Sequence, residues 1–375
     1  MNFDFLDEHI AFQEVVSRFV AKEIAPNMAE WEAREEFPRP LLPKMGELGL
    51  LGLKCPEQYG GVSADNIFSC ILAEQLGKGC RGWGIGASIF AHTSLAMTPI
   101  LLFASEAQKQ CYLPAATRGE KLGAFALTEP AAGSDAASIR TKAEKVPGGY
   151  LIRGNKMFIT NGNIADFLIV AARTSVEGIS LFILDKGVKG FSVGRKLSKM
   201  GCHSSETAEL IFEDCFVPDE SLLGEEGKGF ANLKDTLNLG RIVAAAALVG
   251  MATAAFERAL KYAGERVQFG KPLRDFQTID FWLADMATEI ELTRLITYKA
   301  AWLSDQGREC VREASMAKLY ASEMAKKVVD KSLQIHGGYG YMKEYEIERI
   351  YRDVKLFEIV EGTSEVQRMI IAKHL

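Results

Sequence analysis

The sequence lacks the features of a secreted, metal-binding or nucleic-acid-binding protein. Its seven cysteines are odd in number, form no CxxC pair and do not lie close together along the chain, which is typical of free thiols in a reducing compartment. The five histidines show neither HxxxH nor HExxH spacing, so we expect no metal site. The formal net charge of -5, with scattered lysines and arginines, offers no basic surface to nucleic acid.

Targeting and membrane signals are also scarce. The N-terminal residues have neither the basic nor the apolar region of a signal peptide. The run from Ile242 to Ala255 is short and rich in alanine, so we predict no membrane span. We therefore expect a cytoplasmic protein, or a protein of the mitochondrial matrix if the chain is a processed eukaryotic form.

The apolar periodicity divides the chain into three segments. Residues 1–120 show helical spacing, for example from Leu6 to about Glu35. Residues 121–228 contain short runs rich in branched and aromatic residues, separated by turns such as Pro147-Gly148-Gly149. Helical spacing returns over residues 229–375 in long segments with short joints. The predicted fold is α+β, with an N-terminal helical domain, a middle antiparallel β domain and a C-terminal four-helix-bundle-like domain.

Sequence motifs for phosphate binding are weak. Gly82 to Ala87 fits a loose GxGxx(G/A) pattern, but a helical segment precedes it and no βαβ unit surrounds it. We interpret it as a loop between helices. The chain contains no GxxxxGK(S/T) sequence, so any nucleotide cofactor must be bound by other means.

Two stretches of the β segment could border a ring system. Thr128 to Asp135 (TEPAAGSD) offers hydroxyls and backbone amides that suit a phosphate or a polar ring edge, although a plain turn explains this stretch more simply on its own. Lys156 to Gly162 (KMFITNG) should place Phe158 and Thr160 on one face of a strand. That pair suits either a flavin or ordinary packing between strands.

The C-terminal stretch contains the strongest catalytic candidate. Ser364 and Gln367 are predicted to form a capping box that opens the last helix. Glu361 then lies just before a helix start, where an anion is favoured, and Gly362 permits a close backbone approach. On composition alone, a charged residue in a loop between helices is the better explanation of Glu361.

Five separated stretches, in the same order, resemble the acyl-CoA dehydrogenase family. They are TEPAAGSD, KMFITNG, RVQFG at 266–270, QIHGG at 334–338 and EGTSE at 361–365. The resemblance covers essentially the whole chain and implies FAD-dependent oxidation of an acyl-CoA to a trans-2-enoyl-CoA. It further implies an electron-transferring flavoprotein as acceptor and a homo-oligomer, usually a tetramer, with a role in fatty-acid β-oxidation. The alternatives are an enoyl-CoA reductase or oxidase, a carrier-protein-linked acyl dehydrogenase, and a homologue recruited as an assembly or scaffold protein.

The resemblance also implies roles for individual residues. Glu361 would be the base that removes the α-proton, and its backbone N–H would donate to the thioester oxygen. FAD would contact Phe125, Leu127, Thr128, Gly133, Ser134, Phe158, Ile159, Thr160, Thr363 and Glu365. Further FAD contacts, several of them across a subunit boundary, would come from Arg266, Gln268, Phe269, Gln277, Gln334, Ile335, Gly337 and Gly338. The acyl-CoA would contact Ser134, Asn238, Gly240, Arg241, Val360 and Gly362.

Departures from the family pattern bear on the substrate. Some branches of the family have their catalytic base at the position of Gly240. Because glycine cannot act as a base, Glu361 is left as the candidate for this role. The substrate-binding arginine of the glutaryl branch, near Gly86, is absent, which disfavours a dicarboxylyl substrate. Val360 replaces a usual tyrosine: either neighbours refill the space, or the short to medium acyl group is branched, cyclic or aryl. Phe158 replaces a more common tryptophan.

Overall fold

The N-terminal part of the protein is helical. The computed structural model describes residues 4–176 and 178–375. The first helices are α1 Asp7–Phe19, α2 Met28–Arg34, α3 Leu41–Glu47, α4 Asn66–Gly79, α5 Gly84–Phe90, α6 Thr98–Phe103 and α7 Glu106–Thr117. Single π turns, Val20–Ile24 and Ala91–Met97, extend α1 and join α5 to α6. Helix α7 was not predicted, although Ser105 and Gln108 form a capping box at its start.

The middle part of the protein is a β sheet. Its strands are β1 Gly123–Ala126, β2 Lys142–Val146, β3 Gly149–Thr160, β4 Phe167–Arg173, β5 Ile179–Asp185, β6 Phe191–Lys196, β7 Thr207–Pro218 and β8 Leu222–Leu223. The strand order is β6-β7-β3-β2-β4-β5-β8, and β1 pairs with β4. The long predicted strands are confirmed, whereas the charged β2 (KAEKV) was not predicted.

The sheet is mixed, so the prediction of a purely antiparallel domain is wrong in this respect. Strand β4 pairs in parallel with β1 and with β2, and the other pairs are antiparallel. The pattern of a single strand does not reveal the direction of its partner. The connection from β1 to β4 exceeds the dozen or so residues that a parallel crossover needs.

The C-terminal part returns to helices. These are α8 Gly229–Glu265, α9 Gln277–Asp305, α10 Val311–His336, α11 Ile347–Val354 and α12 Ser364–Lys373, with a two-stranded hairpin, β9 Val267–Gln268 and β10 Lys271–Pro272, after α8. The predicted order of a helical, a β and a helical domain is confirmed. The exact domain boundaries stay predictions.

Helices α4 and α8 approach each other closely through glycines. A Cβ atom at Gly77 would lie 2.3 Å from the carbonyl oxygen of Ala247, and one at Gly250 would lie 2.0 Å from that of Glu74. Both positions therefore require glycine. Because position 77 faces 247 while 74 faces 250, the two helices run antiparallel. Alanines line the buried length of α8 between 244 and 255.

Two helical segments have the length and apolar composition of a membrane span. They are Gly84–Phe103, with a mean hydropathy of 1.5 in its most apolar part, and Gly229–Glu265, with 1.8. The sequence-based premise that no apolar run is long enough is therefore wrong. However, 61% and 78% of these parts are buried inside the protein, as in core helices of globular proteins. The absence of a membrane span stays a prediction.

Two buried carboxylates connect the three parts of the chain. Asp353 of α11 accepts hydrogen bonds from the backbone N–H groups of Trp83 (2.7 Å) and Cys202 (2.6 Å). Glu32 of α2 accepts from the backbone N–H (2.8 Å) and hydroxyl (2.6 Å) of Ser204. Burial raises the pKa of Asp353, and the nearby Glu32 adds to this effect. These bonds fix α11, and the loop that follows it, against the helical and β domains.

Candidate active site

Glu361 lies in the turn between α11 and α12, with its carboxylate directed at α8. The backbone takes left-handed conformations at Glu361 (φ 58°) and Gly362 (φ 85°), which is uncommon for a residue other than glycine. A Cβ atom at Gly240 would lie 3.0 Å from Glu361 Oε2 and 3.4 Å from Phe90 Cζ. Any larger residue at position 240 would therefore displace the carboxylate.

Two buried side chains hold this turn. The Lys318 ammonium donates to the carbonyl oxygens of Phe357 (2.6 Å) and Gly362 (2.7 Å). The amide nitrogen of Gln367 donates to the carbonyl oxygens of Glu361 (2.8 Å) and Gly362 (2.9 Å). Both donors are fully buried. Four hydrogen bonds to three carbonyl groups thus stabilise the strained backbone that presents Glu361.

The predicted capping box at Ser364 is wrong. Thr363, not Ser364, caps α12: its hydroxyl accepts from the N–H of Val366 at 3.3 Å. Gln367 is not part of a box, because its amide points back to the turn as described above. The cap moves one residue towards the N-terminus because Gly362 already completes the turn in a left-handed conformation.

The electrostatic surroundings of Glu361 favour a proton acceptor that works near neutral pH. Burial raises the pKa of Glu361 to about 7, and the charges of Arg241 and Lys318 offset only part of this effect. Oε2 is buried and has no hydrogen-bond partner among the described residues. Arg241 donates to Asn238 Oδ1 at 3.2 Å, and burial lowers its pKa. A buried carboxylate with a pKa near the operating pH suits general base catalysis.

The two candidate stretches of the β domain lie side by side. The Lys156 ammonium donates to the carbonyl oxygen of Leu127 (2.9 Å), and the N–H of Met157 donates to that of Thr128 (2.8 Å). Lys156 also forms a buried ion pair with Glu129 at 2.8 Å. The TEPAAGSD loop is therefore anchored to the KMFITNG strand, and both can border one ligand.

Phe158 is presented by a β-bulge. The register between β3 and β7 shifts between Lys156 and Ile159, and Phe158 has a φ of 62°. Strict alternation would place Lys156, Phe158 and Thr160 on one face, but Lys156 is fully buried whereas Phe158 is 65% exposed. The bulge turns the ring outwards beside the half-buried Thr160. The side chain of Ile159 lies in the sheet core, so only its backbone can contact a ligand.

A further exposed set lies at the β9–β10 hairpin and the end of α10. The Arg266 guanidinium lies 5.7 Å from the centre of the Tyr339 ring. Phe269 occupies the hairpin tip with 95% of its surface exposed. The side chain of Ile335 is buried in the helical core, so only its backbone is available. The other members of this set are exposed: Gln268, Gln277, Gln334, Gly337 and Gly338. In the described part of the chain, no hydrogen bond or ion pair joins this set to Glu361.

A cavity of about 60 Å³ lies on the Phe90 side of Gly240. Phe90 lines it, as do Leu239 and Val243, which flank Gly240 on α8. The remaining walls come from α4 and the loop before it, from α5 and the residue before it, and from the π turn and α6 that follow. Because Phe90 contacts the position of Gly240, this end of the cavity lies beside Glu361.

Comparison with known proteins identifies the family. Residues 6–120, 124–215 and 227–375 match the N-terminal, middle and C-terminal domains of acyl-CoA dehydrogenases. An acyl-CoA dehydrogenase of Bacillus subtilis is 48% identical over 372 residues, which cover 98% of both chains. The chain belongs to the acyl-CoA dehydrogenase family. The CarC subunit of the caffeyl-CoA reductase–Etf complex of Acetobacterium woodii is another relative, 42% identical with 98% of both chains covered.

Solved structures agree with this assignment. Butyryl-CoA dehydrogenase from Megasphaera elsdenii superposes with a TM-score of 0.96 at 42% identity, covering 100% of this chain and 99% of the other. The FAD complex of PigA superposes with a TM-score of 0.97 at 31% identity over the same shares of the two chains. The protein is thus an enzyme of the acyl-CoA dehydrogenase family, and its cofactor is FAD.

The geometry of this acyl-CoA dehydrogenase fits FAD. Phe158 offers an uncovered aromatic face, and the adjoining TEPAAGSD loop is exposed at Gly133 and Ser134. A Cβ atom at Gly133, Gly337 or Gly338 would meet no atom within 4 Å in the described part of the chain, so a ligand can approach the backbone there. Phe125 in β1, and Leu127 and Thr128 just after it, are all half-buried. Glu365 is exposed on the first turn of α12.

Two functional residues of this acyl-CoA dehydrogenase were missed from the sequence. Lys318 is fully buried on α10, together with Ser315 and Ser322. A lysine on the same helical face as Ala314 and Ala321 was the available signal, because a buried lysine must have acceptors. Gln367 was noticed only as a helix cap.

Proposed function

We propose that the protein oxidises the Cα–Cβ bond of an acyl-CoA thioester and that Glu361 is the base. One observation supports this most directly: Oε2 of Glu361 is buried and has no partner among the described residues, the pKa of this carboxyl is raised to about 7, and Phe90, which lines an apolar cavity, lies next to the same Gly240 position. A carboxylate in that state accepts a proton near neutral pH without competition from another donor.

We assign each residue of the site a separate role in the reaction. Glu361 accepts the α-proton. Bound FAD would supply the acceptor for the hydride from Cβ, so that two C–H bonds break as one C=C bond forms. The backbone N–H of Glu361 makes no hydrogen bond among the described residues and is free to donate to the thioester oxygen, where negative charge develops. Phe158 and Thr160 are proposed to hold the flavin ring at the open side of the site.

We propose that the other predicted FAD contacts fall into two groups, one for the FAD of the same subunit and one for the FAD of a neighbouring subunit. Those around the TEPAAGSD loop, Thr363 and Glu365 bind the FAD of their own subunit. Those of the hairpin and the end of α10 face outwards and reach FAD in a neighbouring subunit, within a tetramer. An arginine suits pyrophosphate because it forms bidentate, charge-assisted hydrogen bonds. The cytoplasm is the proposed location.

The acyl group is proposed to be short or medium in length. The cavity of about 60 Å³ is narrow, and a structural relative acts on butyryl-CoA. Electron-transferring flavoprotein is the proposed acceptor, because one relative is a subunit of a complex that contains it. The name of that relative also supports a second candidate, reduction of an enoyl-CoA by the same site.

The test is anaerobic addition of a panel of acyl-CoAs to the purified FAD-containing protein. We expect saturated acyl-CoAs to bleach the flavin absorbance and to form enoyl-CoA. Electron-transferring flavoprotein and oxygen are then added separately to compare acceptors. The protein would be a reductase instead if enoyl-CoAs reoxidise its flavin after reduction by dithionite. In that case, no saturated acyl-CoA should bleach the oxidised flavin. A protein that cannot bind FAD would contradict both candidates and support the scaffold alternative.

A further inference from the structure

The cavity beside Phe90, where we propose that the acyl group binds, has a lysine in its wall. Of the described residues that line it, Lys54 alone is charged, and its neighbours on the wall are mainly Leu, Ile, Phe, Met and Ala. Lys54 precedes Cys55 in the loop between α3 and α4. A lysine in an apolar wall is unusual, because its ammonium must find acceptors that the wall does not offer.

Lys54 lies at the end of the cavity away from Glu361. Helices α4 and α8 run antiparallel, and Gly240, which touches the carboxylate, lies on α8 beyond the C-terminal end of α4. Asn66, the hydrogen-bond partner of Lys54, is the first residue of α4, and Leu76 lies near the other end. Both line the cavity, and the ten residue steps from Asn66 to Leu76 rise about 15 Å along the helix. An acyl chain that enters beside Glu361 therefore has its far end towards Lys54.

The ammonium of Lys54 is held in place but is incompletely bonded. Asn66 uses its amide nitrogen to donate to Asp305 Oδ1 (2.5 Å) and Ser304 Oγ (3.1 Å), so its amide oxygen is left to face Lys54. In the described part of the chain, that oxygen is the single hydrogen-bond acceptor of the Lys54 ammonium, which has no ion pair within 4 Å. An ammonium has three donors, so two are available to a ligand.

The charge of Lys54 is partly balanced at longer range. Burial lowers the pKa of Lys54, and the charge of Asp305 is the largest factor that opposes this effect. A new acceptor at Lys54 would restore hydrogen bonds lost on burial. The hydroxyls of Thr93 and Thr98, also on the cavity wall, already donate to the carbonyl oxygens of Ile89 and Thr93. In the described part of the chain, neither hydroxyl oxygen accepts a hydrogen bond from Lys54.

We infer that Lys54 recognises an oxygen acceptor at the far (ω) end of the acyl chain, and that it selects acyl-CoAs bearing a hydroxyl, carbonyl or carboxylate group there. This inference rests on the proposed function and refines its substrate class. It also revises the expectation against dicarboxylyl substrates: the cation comes from the loop before α4 rather than from the position near Gly86.

The experiment compares matched acyl-CoAs in the FAD-containing enzyme. Octanoyl-CoA is compared with 8-hydroxyoctanoyl- and suberyl-CoA, and dodecanoyl-CoA with 12-hydroxydodecanoyl- and dodecanedioyl-CoA, because the chain must span a distance on the order of 15 Å to reach Lys54. For each, kcat/KM is measured by acceptor reduction and Kd by titration calorimetry. The proteins are wild type, Lys54→Met, which keeps the length of the side chain without its charge, and Lys186→Met, which removes an exposed lysine of the β domain.

The outcome is decided by the ratio of kcat/KM for the ω-oxygenated acyl-CoA to kcat/KM for the unmodified acyl-CoA of the same length. We expect wild type and Lys186→Met to prefer an ω-oxygenated substrate at one of the two lengths. Lys54→Met should reduce that ratio by about tenfold or more, the loss expected for a charge-assisted hydrogen bond. The hydroxyl and carboxylate arms then show which oxygen function is preferred.

Two results would overturn the inference. One is a wild-type preference for the unmodified chain that Lys54→Met leaves unchanged. The other is an equal loss for all substrates in Lys54→Met together with a lower melting temperature, which would assign Lys54 a purely structural role beside Asn66. If no acyl-CoA is oxidised at all, the proposed function fails, and the ratio of Kd values still tests Lys54.

Discussion

The surroundings of Glu361 and the surfaces proposed to bind FAD differ in how much of each site one subunit fills with its own side chains. Around Glu361 the donors are buried and paired: Lys318 and Gln367 are both fully buried and hold the turn by four hydrogen bonds. At the surfaces proposed to hold FAD the side chains are open: Phe158, on the proposed flavin side of the same subunit, is 65% exposed, and Phe269, on the hairpin proposed to reach a neighbouring subunit's FAD, is 95% exposed. Both rings are proposed to bind FAD.

This difference indicates what the base and the cofactor surfaces each require. The base needs an exact position and a dry environment, which packing within one subunit supplies. The cofactor edge must admit a large ligand and so cannot be filled by the chain itself. We therefore expect substitutions at the base to abolish chemistry without affecting assembly, and substitutions at the outer edge to affect cofactor retention and assembly together.

The largest effect is expected for Glu361→Gln. The amide keeps the shape of the side chain but cannot accept the proton, so acyl-CoA-dependent flavin reduction should fall by about 10²–10⁴-fold, the usual contribution of a general base. FAD content and oligomer mass should stay as in wild type. The measurement is stopped-flow flavin reduction by butyryl-CoA, with Glu344→Gln, an exposed glutamate, as control.

Folding of the Glu361→Gln variant provides an internal check. The folded-state pKa of Glu361 is raised, so the folded protein favours the neutral carboxyl, and ionisation costs stability as pH rises through the range from 4.5 to about 7. The neutral amide avoids this cost. The variant should melt no lower than wild type at pH 8. Activity within about tenfold of wild type would be too small a loss for a general base and would contradict the role of Glu361.

A smaller and different effect is expected for Arg266→Ala. If Arg266 binds the cofactor of a neighbouring subunit, its loss should weaken FAD binding by about tenfold or more and shift the oligomer towards smaller species, because a ligand that binds only the assembled state stabilises it. FAD content and mass by light scattering are measured together. Arg274→Ala, an exposed arginine next to the hairpin, is the control. Full flavin content with an unchanged oligomer would make Arg266 an ordinary surface charge.

The smallest effect is expected for Val360→Tyr, next to the base. A ring in place of valine should narrow the pocket and lower kcat/KM for isobutyryl-CoA and a phenyl-substituted acyl-CoA by about tenfold relative to butyryl- and hexanoyl-CoA. Leu356 accepts the backbone hydrogen bond of Val360, so the substitution leaves the turn's own bonding in place. If wild type strongly prefers straight chains and the variant keeps that ranking, neighbouring side chains fill the space.

The sequence predicted the order of domains because the helical and strand periods differ. The resemblance to the family, rather than any local pattern, implied that Glu361, Gly240 and Arg241 belong to one site. The sequence did not predict how Glu361 is held, since Lys318 and Gln367 act on carbonyl groups, which have no sequence signature. Lys318 in particular lies more than forty positions before the turn.

The β domain was predicted less completely, for related reasons. The bulge at Phe158 depends on how β3 pairs with β7, and the parallel pairing of β4 depends on a long connection. Neither is encoded in the alternation of one strand. Lys54 also escaped notice, because its partner Asn66 and the cavity wall come from elements that only the fold brings together.

The most direct test of the role of Glu361 is the pH dependence of kcat/KM for butyryl-CoA, measured from flavin reduction in wild type and in Glu361→Gln. The base must be ionised to act, and burial raises its pKa to about 7. We therefore predict that kcat/KM rises about tenfold per pH unit below pH 7 and levels off above it, while the residual rate of Glu361→Gln shows no such rise. A flat wild-type profile across this range, or the same rise in Glu361→Gln, would contradict the assignment of Glu361 as the base.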